Sequence, residues 1–156
     1  QNYARALINW YFINFLSESL HFYPDDAKSL PIKSISINQQ TPFITLVDYL
    51  LYLHNKETPQ ILSHTSNTRI ASHLEDILNM MVYELYFEEH MKKVGIDVLQ
   101  FINPKPIDTL KSDKEKAEVI QEFYEWYQKP DNAVRQRMLL VDTRSKDIIG
   151  LINKSL

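Results

Sequence analysis

The chain has no cysteine and only two glycines, Gly95 and Gly150. The first absence removes disulfides and cysteine-ligated zinc, and it fits a reducing, cytoplasmic setting. The second removes glycine-cradled phosphate sites of the P-loop or GxGxxG kind. It also removes the tight glycine hairpins on which most all-β folds rely. Apolar runs are short as well. Residues 6–16 (ALINWYFINFL) are too few to span a bilayer. Asn9 and Asn14 interrupt them and no small-residue cleavage site follows, so they read as a buried helix, not a targeting segment. Nor is there an excess of positive charge: 17 Lys+Arg face 20 Asp+Glu, for a net −3. Bulk charge cannot coat nucleic acid with this balance, although a local basic patch can still meet phosphate.

What is present is ordinary globular composition, with 44% hydrophobic and 24% charged residues. The pattern predicts a mainly α fold. Its expected architecture is a bundle of about five to six helices, with a short extended segment near residues 30–35. Residues 1–156 read as a single helical domain, and the opening Gln1, already inside helical pattern, points to a fragment of a longer polypeptide.

Residues 3–22 are apolar on most helical faces. Leu7, Trp10, Tyr11, Asn14 and Phe15 form one stripe, and Ile8, Phe12 and Leu16 fill the adjacent one. Tyr23-Pro24-Asp25-Asp26 breaks that helix. Ser36 and Gln39 have capping-box spacing for a second helix, with Pro42 near its first turn and Phe43, Leu46, Val47, Leu50 and Leu51 as its apolar face. It is expected to end around residues 55–59.

The clearest helix runs near residues 74–93. Leu74, Ile77, Leu78, Met81, Val82, Leu85 and Tyr86 recur at spacings of three and four. Glu88–Lys92 and Glu89–Lys93 are i,i+4 pairs, and Gly95 is placed to cap the C-terminus. A connector with Pro104 and Pro106 leads to Ser112 and Glu115, a second capping box. The helix behind it turns Ala117, Ile120, Phe123, Tyr124 and Tyr127 inward and stops at Pro130. Asp131 or Asn132 starts a further helix through Val134, Met138 and Val141, and a last short one runs from Ser145 through Ile152.

No complete catalytic site emerges. Pro24-Asp25-Asp26-Ala27-Lys28 holds the letters of a PD-(D/E)xK nuclease, but its acids abut in one turn instead of converging from separate elements. Asn103-Pro104-Lys105-Pro106 is similar to the Asn-Pro-Pro-aromatic loop with which adenine methyltransferases grip a flipped base. Lys105 and Pro106 replace the second proline and the aromatic, which removes the stacking ring. The histidines, His21, His54, His64, His73 and His90, lack metal-ligand spacing. Glu84, Glu88 and Glu89 read as a solvated helix face. No serine lies in a Gly-x-Ser-x-Gly elbow. The chain alone is therefore expected to be no enzyme, with no catalytic residues, metal ligands or cofactor of its own. Lys28 and Lys33 flank the extended segment, and Arg135 and Arg137 follow Pro130. These four are the candidates for contacts with DNA backbone. Trp126, off the main stripe of its helix, is the candidate interface residue.

The order of segments carries a resemblance. Tyr23-Pro24-Asp25, Leu30-Pro31-Ile32, Gln39-Gln40-Thr41-Pro42-Phe43 with Leu46-Val47-Asp48, and Val82-Tyr83-Glu84-Leu85-Tyr86 follow one another as they do at the end of the TaqI-like specificity domain. That target-recognition domain belongs to type IIG restriction–modification enzymes, which are adenine-specific DNA methyltransferases. The resemblance covers most of residues 7–102. It implies a bacterial, cytoplasmic parent that methylates adenine with S-adenosylmethionine, with a possible fused nuclease. This chain would be the C-terminal helical part of the recognition domain, supporting and orienting it. Its implied partners are DNA, through the parent, and the upstream methyltransferase and recognition domains, with no membrane. The other reading left open is a helical protein–protein interaction or oligomerisation module unrelated to DNA, with the first helix and Trp126 as its interface.

Overall fold

Residues 33–149 are described by the computed structural model. The expected first helix at residues 3–22, the Pro24–Lys28 turn with its candidate Lys28, and Gly150–Ile152 lie outside them. Helices α1 (Ile37–His54) and α2 (Asn67–Val94) form the main pair, followed by a 3-10 turn at Leu99–Phe101. Then come α3 (Asp113–Gln128), α4 (Ala133–Leu139) and α5 (Val141–Arg144). The protein is thus mainly helical. Among the described residues no strand forms; residues 33–35 belong to no helix or strand, and Leu62 and Thr65 make one isolated bridge.

Local chemistry sets the helix ends. Ser36 and Gln39 close the expected capping box at α1, and Ser112 and Glu115 close theirs at α3. Asn132 starts α4 by accepting the Arg135 N–H. Gly95 adopts the left-handed conformation, φ 69°, and its N–H returns to the Lys92 and Met91 carbonyls. A side chain there would also crowd the Arg144 guanidinium, 3.0 Å from the Cβ position. Glu88 and Lys92 pair at 2.6 Å on the surface.

Four details depart from the sequence expectation. First, α2 begins at Asn67, well before Leu74, because Ser66 caps it and Ile70 and Ala71 are already in the core. Second, the buried face of α1 is Phe43, Leu46, Tyr49, Leu50 and Leu53, while Leu51 is 68% exposed. Third, the stretch expected as one helix through Val141 divides at Leu140 into α4 and α5. Fourth, residues 145–148 of the expected last helix form a bend and turn, and within it Ile149 is the first helical residue.

α2 is the hub of the core. Ile70, Ala71, Leu74, Ile77 and Met81 are fully buried on it, facing Leu46 and Tyr49 of α1 and residues such as Ile96, Val98 and Ile120 that follow. Near its C-terminal end Phe87 leaves helical geometry (φ −123°, ψ 34°), which interrupts the hydrogen-bond ladder. There the Lys33 ammonium donates to the Leu85 carbonyl at 2.7 Å, and the Lys33 N–H donates to the Tyr86 hydroxyl oxygen at 3.3 Å.

Glu84 overturns the expected solvated face. It is only 4% exposed. Its Oε2 accepts the Val98 and Leu99 N–H groups, at 2.5 and 2.8 Å. Burial raises the carboxyl above the usual carboxylate range, and the two backbone donors act against that rise. Alanine at this position would strand both N–H groups. Glu84→Ala is expected to lower unfolding free energy by about 2–4 kcal/mol, and Glu84→Gln, which keeps one acceptor oxygen, by no more than about 1 kcal/mol. Urea denaturation checks this; equal midpoints for the Ala variant and wild type would show that the connector is fastened elsewhere.

Candidate functional site

Past Glu84, the connector runs to the Asn103–Pro106 loop and shapes an open cleft. It has a volume of about 290 Å³. Tyr49 of α1, Phe101 of the 3-10 turn, and Val119, Phe123 and Trp126 of α3 form its walls. Asn103, Lys105 and Glu122 supply its polar groups. Tyr49 meets Phe123 edge to face, with ring centroids 5.8 Å apart, and Phe123 meets Trp126 at 5.1 Å.

The loop is tied from below and above. The buried Tyr49 hydroxyl donates to the Lys105 carbonyl at 2.5 Å. Burial pushes the Tyr49 phenol well above its ordinary value, so the donor stays protonated. Above, the Lys105 ammonium pairs with Glu122 at 2.7 Å in solvent, a contact that adds little stability. Tyr52 then fixes the start of α3 by donating to the Asp113 carbonyl at 2.8 Å.

A second polar group joins α2 and α3. His73 Nδ1 lies 3.0 Å from the Tyr124 hydroxyl and 3.5 Å from Gln128 Nε2, and the His73 and Tyr124 rings stack at 5.7 Å. Burial holds His73 below the ordinary imidazole value, and it raises the neighbouring Asp76 carboxyl, which His73 offsets. His90 Nε2 lies 2.9 Å from Ser145 Oγ, which looks like a nucleophile beside a base. Ser145 is 1% exposed, however, and its oxygen also accepts the Ile149 N–H at 3.4 Å, so no substrate reaches it. Among the described residues no group of three or more acids and histidines is disposed to hold a metal ion.

Three of the four candidate DNA contacts, Lys33, Arg135 and Arg137, are engaged within the fold. Lys33 holds the bend of α2, as above. The Arg135 guanidinium donates to the Gln128 backbone carbonyl at the end of α3 and lies 3.4 Å from the Gln128 side-chain oxygen. The Arg137 guanidinium sits 4.2 Å from the Phe101 ring centroid and donates to the Ala133 carbonyl at 3.3 Å. Trp126, expected to project outward, is half-buried and packs on Phe123 at the cleft wall. These residues therefore do not converge on one basic face: Lys33 serves α2, and the arginines serve the junction of α3, α4 and the 3-10 turn.

Sequence reasoning missed Glu84, the Tyr49–Lys105 tie and the His73–Tyr124 pair, because each partner lies on a distant element. Asn103-Pro104-Lys105-Pro106 and the off-stripe Trp126 were the local signals at the cleft. Comparison with family models, curated proteins and solved structures gives no match. No helix among the described residues is long and apolar enough to cross a membrane.

The His73 environment has a pH signature. Its folded pKa lies below the ordinary 6.5. The unfolded chain therefore binds more protons once pH falls under that value. The pair's contribution is complete above it and declines on acidification. The stability advantage of wild type over His73→Leu is expected to shrink from about pH 7 to about pH 5 in urea titrations. An advantage that is constant or grows would mean that His73 is not held neutral in the fold.

Proposed function

We propose that this chain is the non-catalytic helical part of a bacterial restriction–modification polypeptide, an adenine-specific DNA methyltransferase, in which it supports and orients the target-recognition domain. The ordered motifs from Tyr23-Pro24-Asp25 through Val82-Tyr83-Glu84-Leu85-Tyr86 support the family. One structural observation supports scaffolding over direct reading of DNA. Lys33, Arg135 and Arg137 direct their charged heads onto carbonyls of their own fold, and Arg137 also onto an aromatic ring. Cations used in this way stiffen helix junctions instead of waiting for phosphate.

S-adenosylmethionine belongs to the upstream methyltransferase domain in this reading. Its usual glycine-rich cradle has no counterpart among the described residues, where Gly95 is the single glycine and caps a helix. DNA is likewise a partner through the parent. The exposed apolar residues of α1, Ile37, Ile44 and Leu51, favour the second reading, a protein-interaction or oligomerisation module.

The intact polypeptide carrying this chain tests both. It is expected to transfer a labelled methyl group from S-adenosylmethionine to adenine in DNA. Lys33→Ala, Arg135→Ala and Arg137→Ala should leave the slope of log K against log salt unchanged, whereas each lost phosphate contact would reduce it by about 1. Glu84→Ala, by releasing the connector, should erode discrimination between target and non-target sites. Absence of methyl transfer would overturn the family, and a fall in slope would replace pure scaffolding with backbone contact.

A further inference from the structure

α3 has a second face beside the one it buries. Ile120, Phe123, Tyr124 and Tyr127 are buried. Val119, Glu122, Phe123 and Trp126 are spaced i, i+3, i+4 and i+7, so they form a neighbouring line along the helix, and all four line the cleft. Phe101, Asn103 and Lys105 of the connector line it with them. Both walls are held. The Arg137 guanidinium sits 4.2 Å from the Phe101 ring centroid without lining the cleft itself. The Tyr49 hydroxyl fixes the loop through the Lys105 carbonyl. A site already in shape loses little freedom when a ligand enters.

We propose that this cleft binds a free aromatic α-amino acid, with the ring against Phe101, Phe123 and Trp126 and the charged head between Lys105 and Glu122. The interior selects the ring. Aromatic walls favour a planar partner that meets them edge to face or offset. The mouth selects the head. The Lys105 ammonium and the Glu122 carboxylate stand side by side, 2.7 Å apart, on side chains that are 71% and 62% exposed. An α-amino acid carries its own ammonium and carboxylate on a single carbon. Its carboxylate meets Lys105 and its ammonium meets Glu122, so one ion pair is exchanged for two and no charge is left unmatched. An exposed pair contributes little on its own, so parting it costs little. Asn103, exposed at the same rim, adds an amide that can bond to the head.

Size and charge separate this ligand from others. The cleft volume of about 290 Å³ is at the lower end of small-molecule sites, which run from roughly 300 to 1,000 Å³. That suits one aromatic side chain with its head, and it is small for a nucleotide cofactor. A rim with one charge of each sign exerts no net pull on a phosphate or a polyamine. A ring without charges leaves Lys105 and Glu122 unused. None of Lys33, Arg135 and Arg137 lines the cleft, so the assignment does not depend on a DNA-modifying parent.

NMR titration of the isotope-labelled 156-residue chain tests it. L-Phenylalanine is expected to shift the Trp126 indole N–H and Asn103 amide signals to saturation, with a Kd on the order of 1 mM. L-Alanine, which has the head without the ring, should give no saturable shift. Lys105→Met and Glu122→Gln alter exposed side chains and leave the core untouched. Each should weaken L-phenylalanine ~5-fold or more. Benzyl alcohol, which has the ring without the charges, should bind both variants as it binds wild type. Absence of saturation with L-phenylalanine, equal binding of L-alanine, or an L-phenylalanine affinity that neither rim substitution reduces overturns the proposal.

Discussion

A carboxylate buried on α2, Glu84, accepts the backbone N–H groups of Val98 and Leu99, and the chain after Gly95 takes its position from that contact. Without an acceptor there, the turn leaving α2 would carry two N–H groups into the core unsatisfied. With it, Val98 and Ile96 pack as fully buried side chains directly after the helix cap. Phe101 then stands where Arg137 stacks on it, and the loop at Lys105 reaches the Tyr49 hydroxyl. The connector, and through it one wall of the cleft, is fastened by one acidic side chain that is nearly closed to water.

The interior is fastened by single polar contacts between distant elements, laid over an aliphatic core. Tyr49 and Tyr52 project from α1 to carbonyls at Lys105 and Asp113. His73 of α2 meets Tyr124 of α3, and Arg135 of α4 meets the end of α3. Each joins an element to one that follows much later in the chain. Short helices such as α4 and α5 gain little from propensity alone, and contacts of this kind supply their order.

What was legible in the sequence was chemistry that acts within a few residues. Ser36 with Gln39, Ser112 with Glu115, Asn132 and Gly95 each do at a helix end what their type and spacing predict. What was illegible depended on neighbours elsewhere. Glu84 sits among the acids of α2 and resembles Glu88, yet Val98 and Leu99 enclose one, and solvent surrounds the other. On α1 the apolar residues are numerous enough to offer two stripes. Periodicity marks both, and only packing against α2 selects the one with Tyr49 and Leu53 over the one with Leu51. The contacts of the cations were illegible for a related reason: spacing cannot tell a guanidinium facing solvent from one that closes a carbonyl next door.

The tie from Lys33 to Leu85 also has a mechanical side. A pull arriving along the backbone from residue 32 does not first peel α1 from its end. It is delivered through the Lys33 ammonium and N–H to the stretch of α2 just before the bend at Phe87. Load therefore enters α2 beside Phe87, its one departure from helical geometry.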